Sequence, residues 1–325
     1  MIEVAYRRGV FLPELDCWLD PAQKSPRAFV SHAHSDHTGR HGTTVATPIT
    51  LRLMQARMGK LSGDLIALPF GETRDFGRFT MRLLPAGHVL GSAQCYIESD
   101  AGSLLYTGDF KLRSSASAEP TQSCHAETLI METTFGRPRY IFPPHAEVVA
   151  SMVAFCESAL ADNHVPILLG YSLGKAQEIL AALTGKGFRV MVHASIENLL
   201  PIYEGEGIIF PLRSPWHPAD ADGHVVVCPP SATKALSAVP RRKVGIATGW
   251  ALDASTIYRT KSDAAFPLSD HAGFDDLLRY VEMVAPKRVL TLHGFAAPFA
   301  AELRSRGVEA WSLTGPDQLE LDLAK

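Results

Sequence analysis

Seven consecutive residues, Ser31-His32-Ala33-His34-Ser35-Asp36-His37, hold three histidines and an aspartate directly after the apolar run Ala28-Phe29-Val30. Neutral imidazoles and a carboxylate are donors that zinc and manganese accept, and one short segment gathers four of them at little cost in chain entropy. His32 and His34 alternate, so an extended segment would turn both rings to one side. Asp36 and His37 follow where the strand gives way to a turn and can face a second point. A metal site needs further ligands from elsewhere. Candidates sit at the ends of apolar runs: His88 in Gly87-His88-Val89-Leu90-Gly91, Asp109 in Thr107-Gly108-Asp109-Phe110, His271 in Ser269-Asp270-His271 and His293 in Leu292-His293-Gly294. Loops at such ends are where α/β sheets present chemistry. Each histidine alone reads as a local hydrogen-bonding residue; as a set they point to a metal centre.

The elements that must position these residues differ along the chain. Up to about residue 136 the pattern is of short strands and turns, with strands expected over 79–84, 93–98, 103–106 and 129–131, the last running into Glu132. Helical spacing covers 48–58, with Pro48 at its start. From about Pro144 apolar runs (165–169, 188–192, 225–227, 244–247) alternate with helical segments (146–160, 175–183), which implies a parallel sheet covered on both faces. Past about Ala265 a helix over 276–284, a strand over 288–292 and a helix over 298–306 are expected. Gly/Pro-containing joints near 136–138 and 261–267 mark boundaries, so the middle block reads as an insertion between two segments that belong together.

The chain has 325 residues, 46% of them apolar and 20% charged, which suits a globular protein with a sizeable core of one large or two smaller domains. Its formal charge of −3 does not advertise a nucleic-acid binder, although a local groove can still be basic. The five cysteines are scattered without a C-x-x-C pair, which argues against a disulfide framework or a zinc ribbon. Arg7 and Arg8 are not followed by an apolar stretch, and no run of eighteen apolar residues occurs. No signal peptide and no membrane partner are therefore expected, and the location expected is cytoplasmic.

The order His-x-His-x-Asp-His (32–37), Gly-His (87–88), Gly-Asp (108–109) and a late histidine resembles the metallo-β-lactamase-fold hydrolases. Asp20 in Trp18-Leu19-Asp20-Pro21 matches the structural aspartate of that fold, an orienter of a ligand. Glu132 in Met131-Glu132-Thr133-Thr134, His271 in Ser269-Asp270-His271 and His293 in Leu292-His293-Gly294 look like the extra motifs of the β-CASP nucleases, the group of Artemis, RNase J and the pre-mRNA 3′-end cleavage endonuclease. Within it, Gly87-His88-Val89-Leu90-Gly91-Ser92-Ala93-Gln94, Leu173-Gly174-Lys175-Ala176-Gln177 and Leu268-Ser269-Asp270-His271-Ala272 are most similar to bacterial ligase-associated DNA exonucleases. The resemblance implies an α/β architecture: a metallo-β-lactamase αββα sandwich formed by 1–136 and 263–325, with an inserted parallel α/β β-CASP cap over 137–262.

The resemblance also implies the site. His32, His34, His88 and Asp109 would hold one divalent ion; Asp36, His37, Asp109 and His293 would hold a second, with zinc ahead of manganese. Water acidified between two such ions would attack a phosphodiester in line. Asp36 or Asp109 would steer it, and His271, held by Glu132, would contact the scissile phosphate or protonate the leaving oxygen. The cap would close over the ions, leaving a groove for a nucleic-acid strand. DNA is the implied substrate and a DNA ligase the functional partner. RNA-acting members carry histidine where His293 stands and DNA-acting eukaryotic members an apolar residue, so an RNase of the RNase J or 3′-end-processing type is the alternative. The likeness over several motifs outweighs that one position. A non-catalytic nucleic-acid-binding scaffold is a second alternative, opposed by the filled ligand positions, and a small-molecule hydrolase of the same fold is opposed by Glu132 and His271. Gly170-Tyr171-Ser172-Leu173-Gly174-Lys175 fails the ATP-loop spacing, but Ser172 and Lys175 at a helix start are candidates for a backbone phosphate. Tyr171, Trp216 and Trp250 could stack bases, with core packing the plainer expectation.

Overall fold

A computed structural model describes residues 1–314. The chain divides into two compact units. One comprises Met1–Ser114, Ala118–Ile141 and the chain from His271 onward; the other comprises Ser115–Ser117 and Phe142–Asp270. The tail of the expected C-terminal segment, 315–325, lies outside the described residues.

The first unit begins with β1 (Ala5–Tyr6), β2 (Val10–Leu12), β3 (Cys17–Leu19), β4 (Arg27–Phe29), β5 (Thr43–Ala46), α1 (Pro48–Met58) and β6 (Asp64–Ala67). β7 (Thr73–Asp75), β8 (Thr80–Pro85), β9 (Ala93–Ser99), β10 (Gly102–Tyr106) and β11 (Thr128–Glu132) follow. The second unit then runs α2 (His145–Ala161), β12 (Val165–Leu169), α3 (Lys175–Leu183), β13 (Val190–Val192), α4 (Ala194–Glu197), α5 (Leu200–Gly205), β14 (Arg213–Pro215), β15 (Val225–Cys228), α6 (Thr233–Leu236), β16 (Arg242–Ala247), α7 (Thr256–Thr260) and β17 (Ala264–Phe266). The chain returns to the first unit as α8 (Phe274–Val284), β18 (Arg288–Leu292), α9 (Ala296–Ser305) and β19 (Ala310–Ser312). The architecture is mixed α/β.

Two sheets make up the first unit. One has the order β1-β2-β3-β4-β5-β6, antiparallel from β1 to β3 and parallel from β3 to β6. The other has the order β19-β18-β11-β10-β9-β8-β7, antiparallel from β7 to β10 and parallel from β10 through β11 and β18 to β19. Side-chain alternation along a strand sorts its residues between two cores. Leu83 of β8, Leu104 and Tyr106 of β10, and Leu290 and Leu292 of β18 join Leu12, Leu19, Phe29 and Val45 of the first sheet in one buried cluster. Their neighbours Leu84, Leu105 and Val289 face the other way, onto Leu277, Tyr280 and Val281 of α8 and Phe299 and Leu303 of α9. Strands buried on both faces read as continuous apolar runs, which is why these were visible in the sequence. Each fully buried Leu or Phe contributes about 1.5–3 kcal/mol relative to exposure.

The second unit carries a six-stranded, wholly parallel sheet of order β14-β13-β15-β12-β16-β17. Val165, Ile167, Leu169, Val226, Cys228 and Ile246 form its core on one face. The alternation of apolar runs and helices expected from about Pro144 is present.

Candidate metal centre

The donor residues lie on loops that leave one set of strand ends. Asp20 follows β3, the histidine cluster follows β4, His88 lies between β8 and β9, Asp109 follows β10, Glu132 ends β11 and His293 follows β18. β11 and β18 are in parallel register with Glu132 opposite Leu292, so their C-terminal ends present adjacent loops. The His88 loop is fixed by Ser92, whose Oγ accepts from His88 N (3.1 Å) and Val89 N (3.2 Å). Thr47, which caps the N-terminus of α1 by accepting from Thr50 N, also donates to Gly91 O at 2.7 Å.

The cluster is not an extended segment. β4 ends at Phe29, and residues 32–37 form a bend and a turn. The cause is local anchoring: Ala93 N binds Ser31 O (2.8 Å), Ser31 N binds Asp20 Oδ1 (2.7 Å), and His37 N returns to His34 O (3.2 Å). His32 and His34 still meet, with ring centroids 4.7 Å apart. Gly108 permits the close approach of the Asp109 loop: it has φ +55°, and a Cβ there would lie 2.6 Å from the Cβ of Ser31.

Hydrogen bonds fix which ring nitrogens can ligate. Ser31 Oγ donates its one proton to Asp20 Oδ2 (2.6 Å), so it accepts from His32 Nδ1 (2.9 Å), and the Nε2 of neutral His32 carries the lone pair. His37 Nδ1 donates to Asp20 Oδ2 (2.8 Å), which leaves Nε2 as the ring nitrogen that can ligate once its proton is lost. Asp20 Oδ2 also accepts from Tyr106 OH at 2.9 Å. A buried carboxylate that orients an imidazole in this way supports the ring as a ligand.

The freed atoms converge. His32 Nε2 and His88 Nε2 lie 2.9 and 3.1 Å from His34 Nδ1. A tetrahedral ion with bonds of about 2.0–2.1 Å separates its ligands by about 3.3 Å, so these three nitrogens suit one ion. Asp109 Oδ2 lies 3.7, 3.3 and 3.9 Å from the Nε2 atoms of His32, His37 and His88, between the two halves of the cluster. His32-His34-His88, His32-His37-Asp109 and His88-Asp109-His271 are each compact enough to hold an ion. The second half is looser. Asp36 Oδ2 is 3.7 Å from His37 Nε2 on a side chain that is 78% exposed, and the exposed His293 brings its ring centroid to 5.7 Å from that of His37.

Charge follows from this packing. Burial first, then repulsion from His37, His88 and His34, drives the pKa of His32 well below the ordinary histidine value and keeps it in the ligating neutral form. Burial acts on His37 in the same direction, but Asp109 and Asp20 outweigh it and raise its pKa well above that value. For Asp109, burial pulls upward and is overcome by His37, His271 and His32, which hold the carboxyl well below the usual range.

His271 lies beside the donors, its ring centroid 4.7 Å from that of His88, with Nδ1 2.8 Å from Glu132 Oε1. Glu132 is 1% exposed and is itself fixed by Phe110 N (3.3 Å) and Thr134 N (2.9 Å). The phosphate candidates of the second unit are engaged elsewhere. Lys175 is fully buried, with Nζ 2.7 Å from Leu268 O, 3.2 Å from Asp270 and 3.6 Å from Glu178, which removes it from the solvent a phosphate would arrive through. Ser172 Oγ bonds Ser195 Oγ at 2.8 Å. Tyr171 and Trp250 are exposed, whereas Trp216 packs on the core of that unit. Ser31 and Tyr106 join the site without having been among the candidates. Ser31 adjoins the cluster and could have been found there, but nothing in the sequence marks Tyr106, whose partner lies 86 residues away.

No family model matches the chain. It is 49% identical, over 99% of its length, to 32% of a protein from Opitutus terrae named a probable DNA ligase. It is 26% identical, over 87% of its length, to 54% of the 5′ exonuclease Apollo of Rattus norvegicus. The chain thus spans about a third and about half of these curated relatives. A crystal structure of an Enterococcus faecalis protein of unknown function shares the fold, with a TM-score of 0.63 at 14% identity over 90% of this chain and 79% of that one.

Proposed function

We propose that this chain, a relative of the β-CASP nucleases, is a metal-dependent phosphodiester hydrolase that acts on DNA as an exonuclease, in concert with a DNA ligase. The observation that carries this reading is the convergence of His32, His34, His88, His37 and Asp109 beside an imidazole anchored on a buried carboxylate. In this reading the first unit is the αββα metallo-β-lactamase sandwich and the second the inserted β-CASP cap. His32, His34, His88 and Asp109 hold one divalent ion; Asp36, His37, Asp109 and His293 hold the other, zinc ahead of manganese. Bound there, the ions supply acidification of the attacking water and neutralisation of the charge that grows on the phosphoryl oxygens.

The protein's own residues do the rest. Asp109, shared between the two sets, fixes their separation, and Asp20 keeps His37 in the tautomer that ligates. Asp36, open to solvent, orients the incoming water and takes up its proton. Glu132 accepts the Nδ1 proton of His271 and so aims Nε2 at the reacting phosphate, where it stabilises charge or protonates the leaving oxygen. The ligase partnership rests on the likeness to part of a protein named for ligation: trimming an end by hydrolysis prepares it for sealing. Among the described residues no helix is long and apolar enough to cross a membrane.

The test is end-labelled single- and double-stranded DNA and RNA incubated with the purified chain and zinc or manganese. Stepwise shortening of DNA is expected. Preferential digestion of RNA would replace the DNA reading with the RNase one, and no hydrolysis of any substrate with metal present would leave only the scaffold.

A further inference from the structure

Outside the donor cluster, two arginines of the first unit lie on one aromatic floor. The loop after β11 carries Arg137 and Arg139, and the loop after β18 carries Phe295, two residues beyond His293. The loops are knitted together: Thr133 N binds Leu292 O (2.9 Å), Thr133 Oγ1 binds His293 O (2.7 Å), and Phe295 N binds Thr133 O (2.9 Å). Gly294, at φ +56°, allows this contact, since a Cβ there would lie 2.4 Å from the Cα of Thr134. The rings of Phe295 and Tyr140 stack with centroids 5.6 Å apart. The Arg137 guanidinium lies 4.6 Å above Phe295. That of Arg139 lies 4.8 Å above Tyr140 and donates to its hydroxyl at 2.9 Å.

Both arginines are exposed, and among the described residues neither has a carboxylate partner. On a chain of charge −3, two neighbouring guanidinium groups with no carboxylate beside them make a local positive patch. A guanidinium held over a ring has few rotamers left to lose when a ligand arrives; Arg139 donates one Nη2 proton to the Tyr140 hydroxyl, and its remaining N–H groups, with those of Arg137, are donors for a ligand. The planar edge of a guanidinium matches two oxygens of a phosphate. Phe295 is at most about 7 Å along the chain from His293, so the clamp borders the donor cluster.

We propose that Arg137 and Arg139, seated on Phe295 and Tyr140, bind a backbone phosphate of the nucleic-acid strand next to the bond that is cut. The proposal rests on the nuclease reading above. It is tested by the anisotropy of fluorescein-labelled single-stranded DNA bound to the metal-loaded full chain carrying His271→Ala, in which cleavage is expected to slow at least about 100-fold. Pairing Arg137→Ala with Arg139→Ala should raise Kd about ten-fold or more for each arginine lost. The salt dependence of log Kd should fall by about 0.7 per phosphate contact removed. The Arg137→Lys, Arg139→Lys pair should keep the salt slope and still bind several-fold more weakly, because it retains charge and loses the stacked fork. With His271 restored, KM should rise more than kcat falls. Unchanged affinity and slope in the alanine pair would overturn the clamp and leave the nuclease reading standing. If the alanine pair does not fold, full wild-type affinity in the lysine pair overturns it. Failure of the His271→Ala protein to bind any oligonucleotide would remove the nuclease reading and the clamp together.

Discussion

Asp20→Asn tests whether the tautomer of His37 is imposed from behind. The carboxylate accepts four hydrogen bonds: Ser31 N on Oδ1, and Ser31 Oγ, His37 Nδ1 and Tyr106 OH on Oδ2, at 2.6–2.9 Å. An asparagine keeps at best the three on Oδ2, as neutral bonds weaker by about 1 kcal/mol each, and turns its amide N–H against Ser31 N–H. That buried N–H, left without an acceptor, costs about 1–3 kcal/mol. Relief of the buried charge offsets part of this, leaving a loss of about 3 kcal/mol, a large share of a typical domain's stability. Urea unfolding of the metal-free protein at neutral pH measures it. Titration with zinc should show the His37 site weakened about 10–100-fold and the His32-His34-His88 site much less affected. A stability loss below about 0.5 kcal/mol with wild-type affinity at both sites would show that Asp20 does not set the tautomer.

Other expectations follow from the same geometry. His271→Ala and Glu132→Ala should each lower turnover at least about 100-fold while metal content, read by mass spectrometry, stays intact; unchanged turnover would remove the pair from the chemistry. Treatment with a chelator should abolish hydrolysis, and added zinc or manganese should restore it; activity that survives full metal removal contradicts the centre. In metal-free protein the raised pKa of His37 gives a pH signature. Its contribution to stability is complete below about pH 6.5 and is lost as pH rises through the raised folded value. The stability gap between wild type and His37→Gln should therefore close toward alkaline pH, and a gap that widens there refutes the role of Asp109 and Asp20.

The buried elements were legible because their burial writes a pattern. The helix at Pro48–Met58 and the strands at Val165–Leu169 and Arg288–Leu292 fall on the expected residues. Each is bounded by a cap, a turn or a break in apolarity. Thr73–Asp75 and Asp64–Ala67 are edge strands with mostly exposed side chains, so no apolar alternation announces them. β1, β2 and β3 are too short for any period to show. At the site, residue types and spacing marked the ligand candidates, but not the bend that brings His32 and His34 together. That bend is made where Ser31 is held by Asp20 and Ala93, which are distant from it in sequence. The inward turn of Lys175 was equally invisible, since its partners Leu268 and Asp270 lie more than ninety residues along the chain.

In the proposed centre one carboxylate, Asp109, joins two sets of donors into a single hydrolytic site. The most direct measurement is metal stoichiometry and DNA hydrolysis on the wild type, His88→Ala and Asp109→Asn, purified in parallel. Two ions are expected per wild-type chain, with one lost in His88→Ala and both lost, together with hydrolysis, in Asp109→Asn. An Asp109→Asn protein that keeps its metal and its activity would contradict the proposed centre.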